Sequence, residues 1–193
     1  MKPLPTTFFR RPAEVVARDL LGATILSTIG GRPCSGLIVE TEAYLGLDDP
    51  ASHAYQGRRH RGNESIYGPP GSWYVYRSYG IHWCANLVTR EKGTGGSAVL
   101  LRGLLPVEGA AVMVARRGGC EGRQLANGPG KLCQALGISR LLDGALMRES
   151  DVVVGRGKTS ERPVGNIFVT PRIGITKARD WPLRFLLGKA PRG

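Results

Sequence analysis

WYVYRSYGIHWCAN, residues Trp73 to Asn86, alternates its side chains with a period of two on either side of Tyr79-Gly80. Tyr74 and Tyr76 share one face of the first run, while Trp73, Val75, Arg77 and Tyr79 lie on the other, as in a strand. Tyr79-Gly80 falls where the chain reverses into Ile81 to Asn86, so the stretch reads as a β-hairpin. Upstream, a strand is predicted from Ala23 to Ile29, with Gly30-Gly31 turning it into a return strand that ends near Tyr44. Downstream, Ala98 to Leu105 reads as an apolar strand, and short strands are expected near Val152 to Gly155 and Arg172 to Ile175. Helical spacing marks Pro12 to Leu21, stopped by Gly22, then Glu108 to Arg117, and Lys131 to Leu136 after Asn127-Gly128-Pro129-Gly130. Residues Gly46 to Gly71 are polar and Gly/Pro-punctuated and are expected to form a long surface loop. Gly155 to Arg162 is read as a second loop. Hairpin-like connections in place of helical crossovers predict a mixed α+β fold with a curved, mostly antiparallel sheet, peripheral helices and a protruding β-hairpin.

The 193 residues show no composition shift, so residues 1–193 are read as a single domain. Lys and Arg number 27 against 15 Asp and Glu, and the excess runs along the whole chain. Such a distributed positive field suits a polyanion, since each phosphate neutralised releases condensed counterions. Cys34, Cys84, Cys120 and Cys133 contain no CxxC pair and read as reduced thiols, which argues against a zinc site or a disulfide framework. No apolar run approaches the length of a membrane span, and MKPLPTTFFRR has no hydrophobic signal core. A soluble intracellular protein is expected, with nucleic acid as its partner.

In IVETEAY, Ile38 to Tyr44, strand alternation places Glu40, Glu42 and Tyr44 together, opposite Val39, Thr41 and Ala43. Two carboxylates and a phenol on one face describe either a solvated surface or a general base beside an aromatic platform. A base of this kind takes a proton from water as it attacks carbon, an effect of roughly 10²- to 10⁴-fold in rate. Periodicity does not choose between Glu40 and Glu42. Tyr79, at a hairpin tip, is poorly placed for a core and reads either as an ordinary exposed turn residue or as one placed to fill the gap left by an extruded base. His53 beside Asp48 and Asp49 is a weak ligand set, so no metal and no cofactor is expected, and His60 and His82 read as structural or exposed.

Read together, ARDLLG, VETEAYLG, the GPPG turn with YVYRSYGIHWCAN, LLR with PVEG, GPGKLCQALGI, RIGI and WPLRF occur in order over nearly the whole chain. This set resembles the alkyladenine (3-methyladenine) DNA glycosylase family, the type unrelated to helix-hairpin-helix glycosylases. The resemblance implies a monofunctional enzyme that hydrolyses the N-glycosidic bond of a flipped purine in double-stranded DNA. Its lesions would be of the 3-methyladenine, 7-methylguanine or hypoxanthine type. It makes Glu42 the general base, with Arg102 and the backbone carbonyl of Ile173 helping to hold the attacking water. Tyr44 and Tyr76 would flank the base and His53 would offer it a hydrogen bond. Asn86 at the pocket floor would disfavour guanine, Tyr79 would intercalate, and Lys131 would lie near the DNA backbone. A monomer is expected, cytoplasmic and nucleoid-associated in a bacterium or nuclear in a eukaryote.

Where relatives commonly carry Arg-Asn ahead of a Met-Phe pair, this chain has Gly62-Asn63-Glu64-Ser65-Ile66-Tyr67, with Arg58, Arg59 and Arg61 just upstream. No lysine is placed for Schiff-base chemistry, so no strand cleavage is expected. Two other classes compete. A carbohydrate glycosidase would need carboxylates flanking the bond, and Glu40 and Glu42 lie on one side of it. A non-catalytic nucleic-acid-binding module would use the tyrosines to stack on bases and leave Glu42 incidental.

Overall fold

The alternation at Trp73–Asn86 builds the hairpin in the computed structural model, which describes residues 1–90, 95–156 and 165–188. In chain order the elements are β1 (Lys2–Pro3), α1 (Thr6–Phe9), α2 (Ala13–Asp19), β2 (Thr24–Ser27), β3 (Cys34–Tyr44), β4 (Trp73–Ser78) and β5 (His82–Thr89). They continue with β6 (Ser97–Glu108), α3 (Ala110–Arg116), α4 (Pro129–Leu136), β7 (Val152–Arg156), β8 (Asn166–Thr170) and β9 (Arg184–Gly188). The strands form one curled sheet in the order β1-β7-β2-β3-β6-β5-β4, with β8 and β9 joined to it through β3. Every pairing described is antiparallel, which gives the mixed α+β architecture expected from the hairpin-like connections. Among the described residues no helix is long and apolar enough to cross a membrane.

Strand β3 decides where the site lies. Its first half pairs with β2 and its second half, Glu40 to Glu42, with β9, while β6 runs along the other edge. Two register shifts against β6 flank Glu40. Before them Cys34 and Ile38 point into the main core, and after them Ala43 does, with Thr41 Oγ1 donating to the Ala17 carbonyl of α2 at 2.8 Å. Even positions thus face the core before the bulge and odd ones after it. An unbroken alternation would drive Glu42 into the apolar core beside Ile38, and the bulge turns it to the opposite face.

The main core packs α2 (Val16, Ala17), the Leu20 that caps it, and α4 (Leu132, Leu136) on Trp73, Val75 and Leu101. A smaller cluster of Ala54, Ile66, Tyr74, Val88 and Ala98 lies apart from it, and the alternation of β4 sends Tyr74 and Tyr76 there.

Two expectations need correction. Arg172 to Ile175 is not a strand, because Pro171 precedes it and Gly174 takes a φ of +76°. The strand lies just before it, at β8, which pairs with β9, a strand the sequence reading missed. Residues 46–71 are also more than a surface loop, since Asp49, Ser52, Ala54, Asn63 and Ile66 are buried. Asn63 organises the segment, with Nδ2 donating to the carbonyls of His53 and Arg58 and Oδ1 accepting from the His60 N–H. Polar residues read as solvated act here as internal scaffolding. The loop expected at Gly155 to Arg162 begins within β7, and its residues 157–162 lie outside the described ones.

Candidate active site

Glu42 is fully buried between strands on both sides and is held by three donors. The Ile173 N–H donates to Oε1 at 2.9 Å, and the Tyr44 hydroxyl and Arg102 Nη1 donate to Oε2 at 3.0 and 3.3 Å. Glu40 is set apart by its partners, because Nε of Arg102 and Nε of Arg184 both donate to its Oε1, at 3.0 and 2.7 Å. Glu40 therefore serves to fix Arg102, which in turn faces Glu42. What the structure shows of Ile173 is its N–H on the carboxylate.

Burial raises the Glu42 carboxyl above its ordinary range, outweighing the Arg102 charge and the donors from Ile173 and Tyr44. If the carboxylate serves as a base it must be ionised, so a rate that depends on it is expected to fall, as pH drops, at a higher pH than an ordinary carboxylate near 4.3 would give. The stability sign is opposite. A carboxyl whose folded pKa exceeds its unfolded one favours folding when protonated, and that contribution is lost as pH rises through the raised value. Single-turnover rates and unfolding midpoints measured over the same pH series check both directions, and an acid limb centred near 4.3 would contradict them.

A cavity of about 510 Å³ opens beside this carboxylate and is lined by Tyr44, His53, Tyr76, Asn86, Arg102 and Ile173 among others. Tyr79 lines it too, so seven of the residues singled out in the sequence meet at one place. His53 Nδ1 and the Tyr74 hydroxyl are hydrogen-bonded at 2.7 Å, and the His53 ring meets Tyr76 edge-on at 4.5 Å. Tyr74 stacks on Tyr76 at 5.4 Å. Desolvation of the ring against Tyr74 and Tyr76, with the nearby His60 and Arg58, lowers the His53 pKa and favours the neutral ring, although the residue as a whole remains exposed to solvent. Asn86 is buried, with Nδ2 donating to the carbonyls of Tyr74 and Cys84. Tyr74 was not singled out as a site residue, although its shared face with Tyr76 was the available signal.

Arg172 and Asp49 brace the cavity from behind. Both side chains are fully buried, and the guanidinium donates to both carboxylate oxygens, Nη1 to Oδ2 at 2.5 Å and Nη2 to Oδ1 at 2.8 Å. Nη1 also donates to the Ala43 carbonyl at 3.0 Å, and the guanidinium lies over the Tyr44 ring at 4.7 Å. Asp49 accepts in addition from the N–H groups of Leu45 and Ala51. Asp49 is thus committed to Arg172, and among the described residues no cluster of His, Cys, Asp and Glu could hold a metal. No sequence motif pointed to this pair.

Tyr79 and Gly80 both have positive φ, +49° and +68°, as a tight two-residue hairpin turn requires, and Ile81 N–H closes it on the Ser78 carbonyl at 2.9 Å. A tyrosine gains nothing locally from this conformation, and its side chain is 88 % exposed. The first turn of α4 lies against the same hairpin, since a Cβ at Gly130 would come within 2.8 Å of His82 Cβ. Lys131 follows in the first turn of α4, with Nζ donating to the side-chain carbonyls of Gln124 and Asn127 at 2.7 and 3.0 Å. His60 and His82 are exposed.

With this geometry in place, the chain was compared with known proteins. It matches the methylpurine-DNA glycosylase family over residues 7–191. It is 49% identical over 178 residues to a protein of Rhodopseudomonas palustris (strain ATCC BAA-98 / CGA009), covering 92% of this chain and 81% of the relative. Identity is 47% over 189 residues to one of Methanoculleus marisnigri, covering 95% and 94%, and 49% over 183 residues to one of Granulibacter bethesdensis, covering 94% and 82%. All three bear the name "Putative 3-methyladenine DNA glycosylase".

Proposed function

The chain belongs to the methylpurine-DNA glycosylase family, a group of hydrolases acting on N-glycosidic bonds in DNA, and from that premise we propose a substrate class and a mechanism. The substrate is an alkylated or deaminated purine, of the 3-methyladenine, 7-methylguanine or hypoxanthine type, turned out of duplex DNA into the cavity beside Glu42. The observation that carries this reading is a buried carboxylate held by Ile173 N–H, Tyr44 and Arg102, three residues that themselves line a tyrosine-rich cavity.

Glu42 takes a proton from water as the water oxygen bonds to the sugar anomeric carbon and the bond from that carbon to the purine nitrogen breaks. The leaving purine keeps the electron pair. An N3- or N7-alkylated purine is cationic before cleavage and departs neutral, so little acid catalysis is needed. The faces of Tyr44 and Tyr76 favour such a cation by about 0.5–2 kcal/mol each. A neutral lesion relies more on protonation of the leaving group and on a hydrogen bond from His53. Asn86 discriminates against guanine at the cavity floor, and Lys131 meets the DNA backbone. Arg102 and the Ile173 carbonyl steady the water. Release of free base from a hypoxanthine or 3-methyladenine duplex in single-turnover assays tests the reading. Tight binding of both duplexes without release would instead identify a binding module.

Tyr79 acts as the wedge that fills the vacated stack. Removing its ring in Tyr79→Ala is expected to weaken lesion-duplex binding by about 1–3 kcal/mol, the usual worth of one base–aromatic stack. Fold stability should not fall, because the side chain is exposed and its backbone strained. Anisotropy titrations with a parallel denaturation curve check this, and unchanged binding would refute the wedge.

A further inference from the structure

A second cavity, of about 490 Å³, shares His53, Tyr74, Tyr76 and Arg77 with the first. Four guanidinium groups, those of Arg58, Arg61, Arg77 and Arg140, line it, and all four residues are exposed. None of the four forms an ion pair among the described residues, whereas Arg11, Arg59, Arg102, Arg172 and Arg184 all do. The basic run noted in the sequence is thereby divided. Arg59 is neutralised by Glu64 and packs over the Tyr67 ring, while Arg58 and Arg61 turn to the cavity.

One carboxylate lines the cavity, that of Asp143, and its oxygens already accept from the Val75 N–H and from Ser65 Oγ, each at 2.9 Å. Arg77 is held over the Trp83 ring at 5.6 Å. Four like charges facing one acid repel one another, and guanidinium forks of this kind match the oxygens of a phosphate. The lowered His53 pKa, caused in part by His60 and Arg58, reports the same positive field from within the shared wall.

We propose that this cavity is a phosphate site, taking a backbone phosphodiester of the strand whose base enters the neighbouring pocket. The proposal rests on the DNA-glycosylase reading and adds to it a place where the strand is gripped beside the extruded nucleotide. The shared wall argues for DNA over a free phosphate, since an occupant would lie one side chain away from the flipped base.

The test is the salt dependence of duplex binding by the full chain, followed by anisotropy over a sodium chloride series. Arg61→Ala/Arg140→Ala is compared with Arg18→Ala/Arg32→Ala, which removes the same charge from exposed positions that do not line the cavity. The cavity variant should show a slope of log K against log salt that is shallower by about 0.9 for each phosphate no longer neutralised, and the control should keep the wild-type slope. Arg61→Lys/Arg140→Lys should also keep that slope, because it counts charges. An unchanged slope in the cavity variant, or an equal loss in the control, overturns the proposal. So does competition by inorganic phosphate alone with no change of slope, which would mark a free-phosphate site. Failure of the wild-type chain to release any base would defeat the glycosylase reading and leave these slopes to report on the cavity.

Discussion

Glu42→Gln is expected to slow single-turnover base release by about 10²- to 10⁴-fold while lesion-duplex binding stays close to wild type. The amide keeps the shape of the carboxyl, and its oxygen can still accept from the Ile173 N–H, so the cavity should persist. On the proposed mechanism, what disappears is the site that receives the water proton, together with the negative charge facing a sugar that turns cationic as the bond breaks. Arg102 is not left without a partner, since Glu40 remains on its Nε. The decisive comparison is Glu40→Gln. Glu40 bridges Arg102 and Arg184, and its neutralisation should move the rate far less than loss of the base. Equal losses in the two variants would mean that the pair acts through charge alone, and an unchanged rate in Glu42→Gln would remove the carboxylate from the mechanism. The same substitution should leave the fold at least as stable at neutral pH, because burial disfavours the ionised carboxyl there. That advantage should shrink as pH falls and Glu42 takes up its proton.

Much of this site was legible because strand alternation is a strong signal. The hairpin from Trp73 to Asn86 and the grouping of Glu40, Glu42 and Tyr44 follow from period two alone, and both appear in the structure. The difference in surroundings between Glu42 and Glu40 was not readable from periodicity, because it depends on Arg184 reaching back from β9, a strand the reading missed. The bulge at Glu40 was equally hidden, since alternation assumes an unbroken ladder and a bulge is set by the neighbouring strand. Arg172 to Ile175 misled for a related reason. Its alternating pattern arises from a side chain buried by an ion pair beside an exposed isoleucine, with no strand beneath it.

Asp49→Asn is expected to destabilise the fold by about 3–5 kcal/mol, the usual cost of leaving one member of a buried ion pair uncompensated. For a chain of this size that corresponds to a fall of about 10 °C in the unfolding midpoint. Asp49 satisfies both terminal nitrogens of Arg172 and two backbone N–H groups at once, so an amide, with one accepting atom, sets a donor against a donor somewhere in the set. The Arg172 guanidinium would then be buried, charged and short of acceptors, with its Nε already lacking a hydrogen-bond partner among the described residues. The damage should reach the chemistry by a short path. Arg172 supports the Tyr44 ring, and its neighbour Ile173 supplies the N–H on Glu42, so slippage at Arg172 loosens two of the three donors around that carboxylate. Denaturant unfolding of Asp49→Asn, Arg172→Gln and the double variant separates this pair from ordinary packing loss. The double variant should cost clearly less than the sum of the singles, since neither amide then faces a lone buried charge. Additivity within about 0.5 kcal/mol would show the two residues acting independently. If the singles keep wild-type stability, the pair does not brace the cavity.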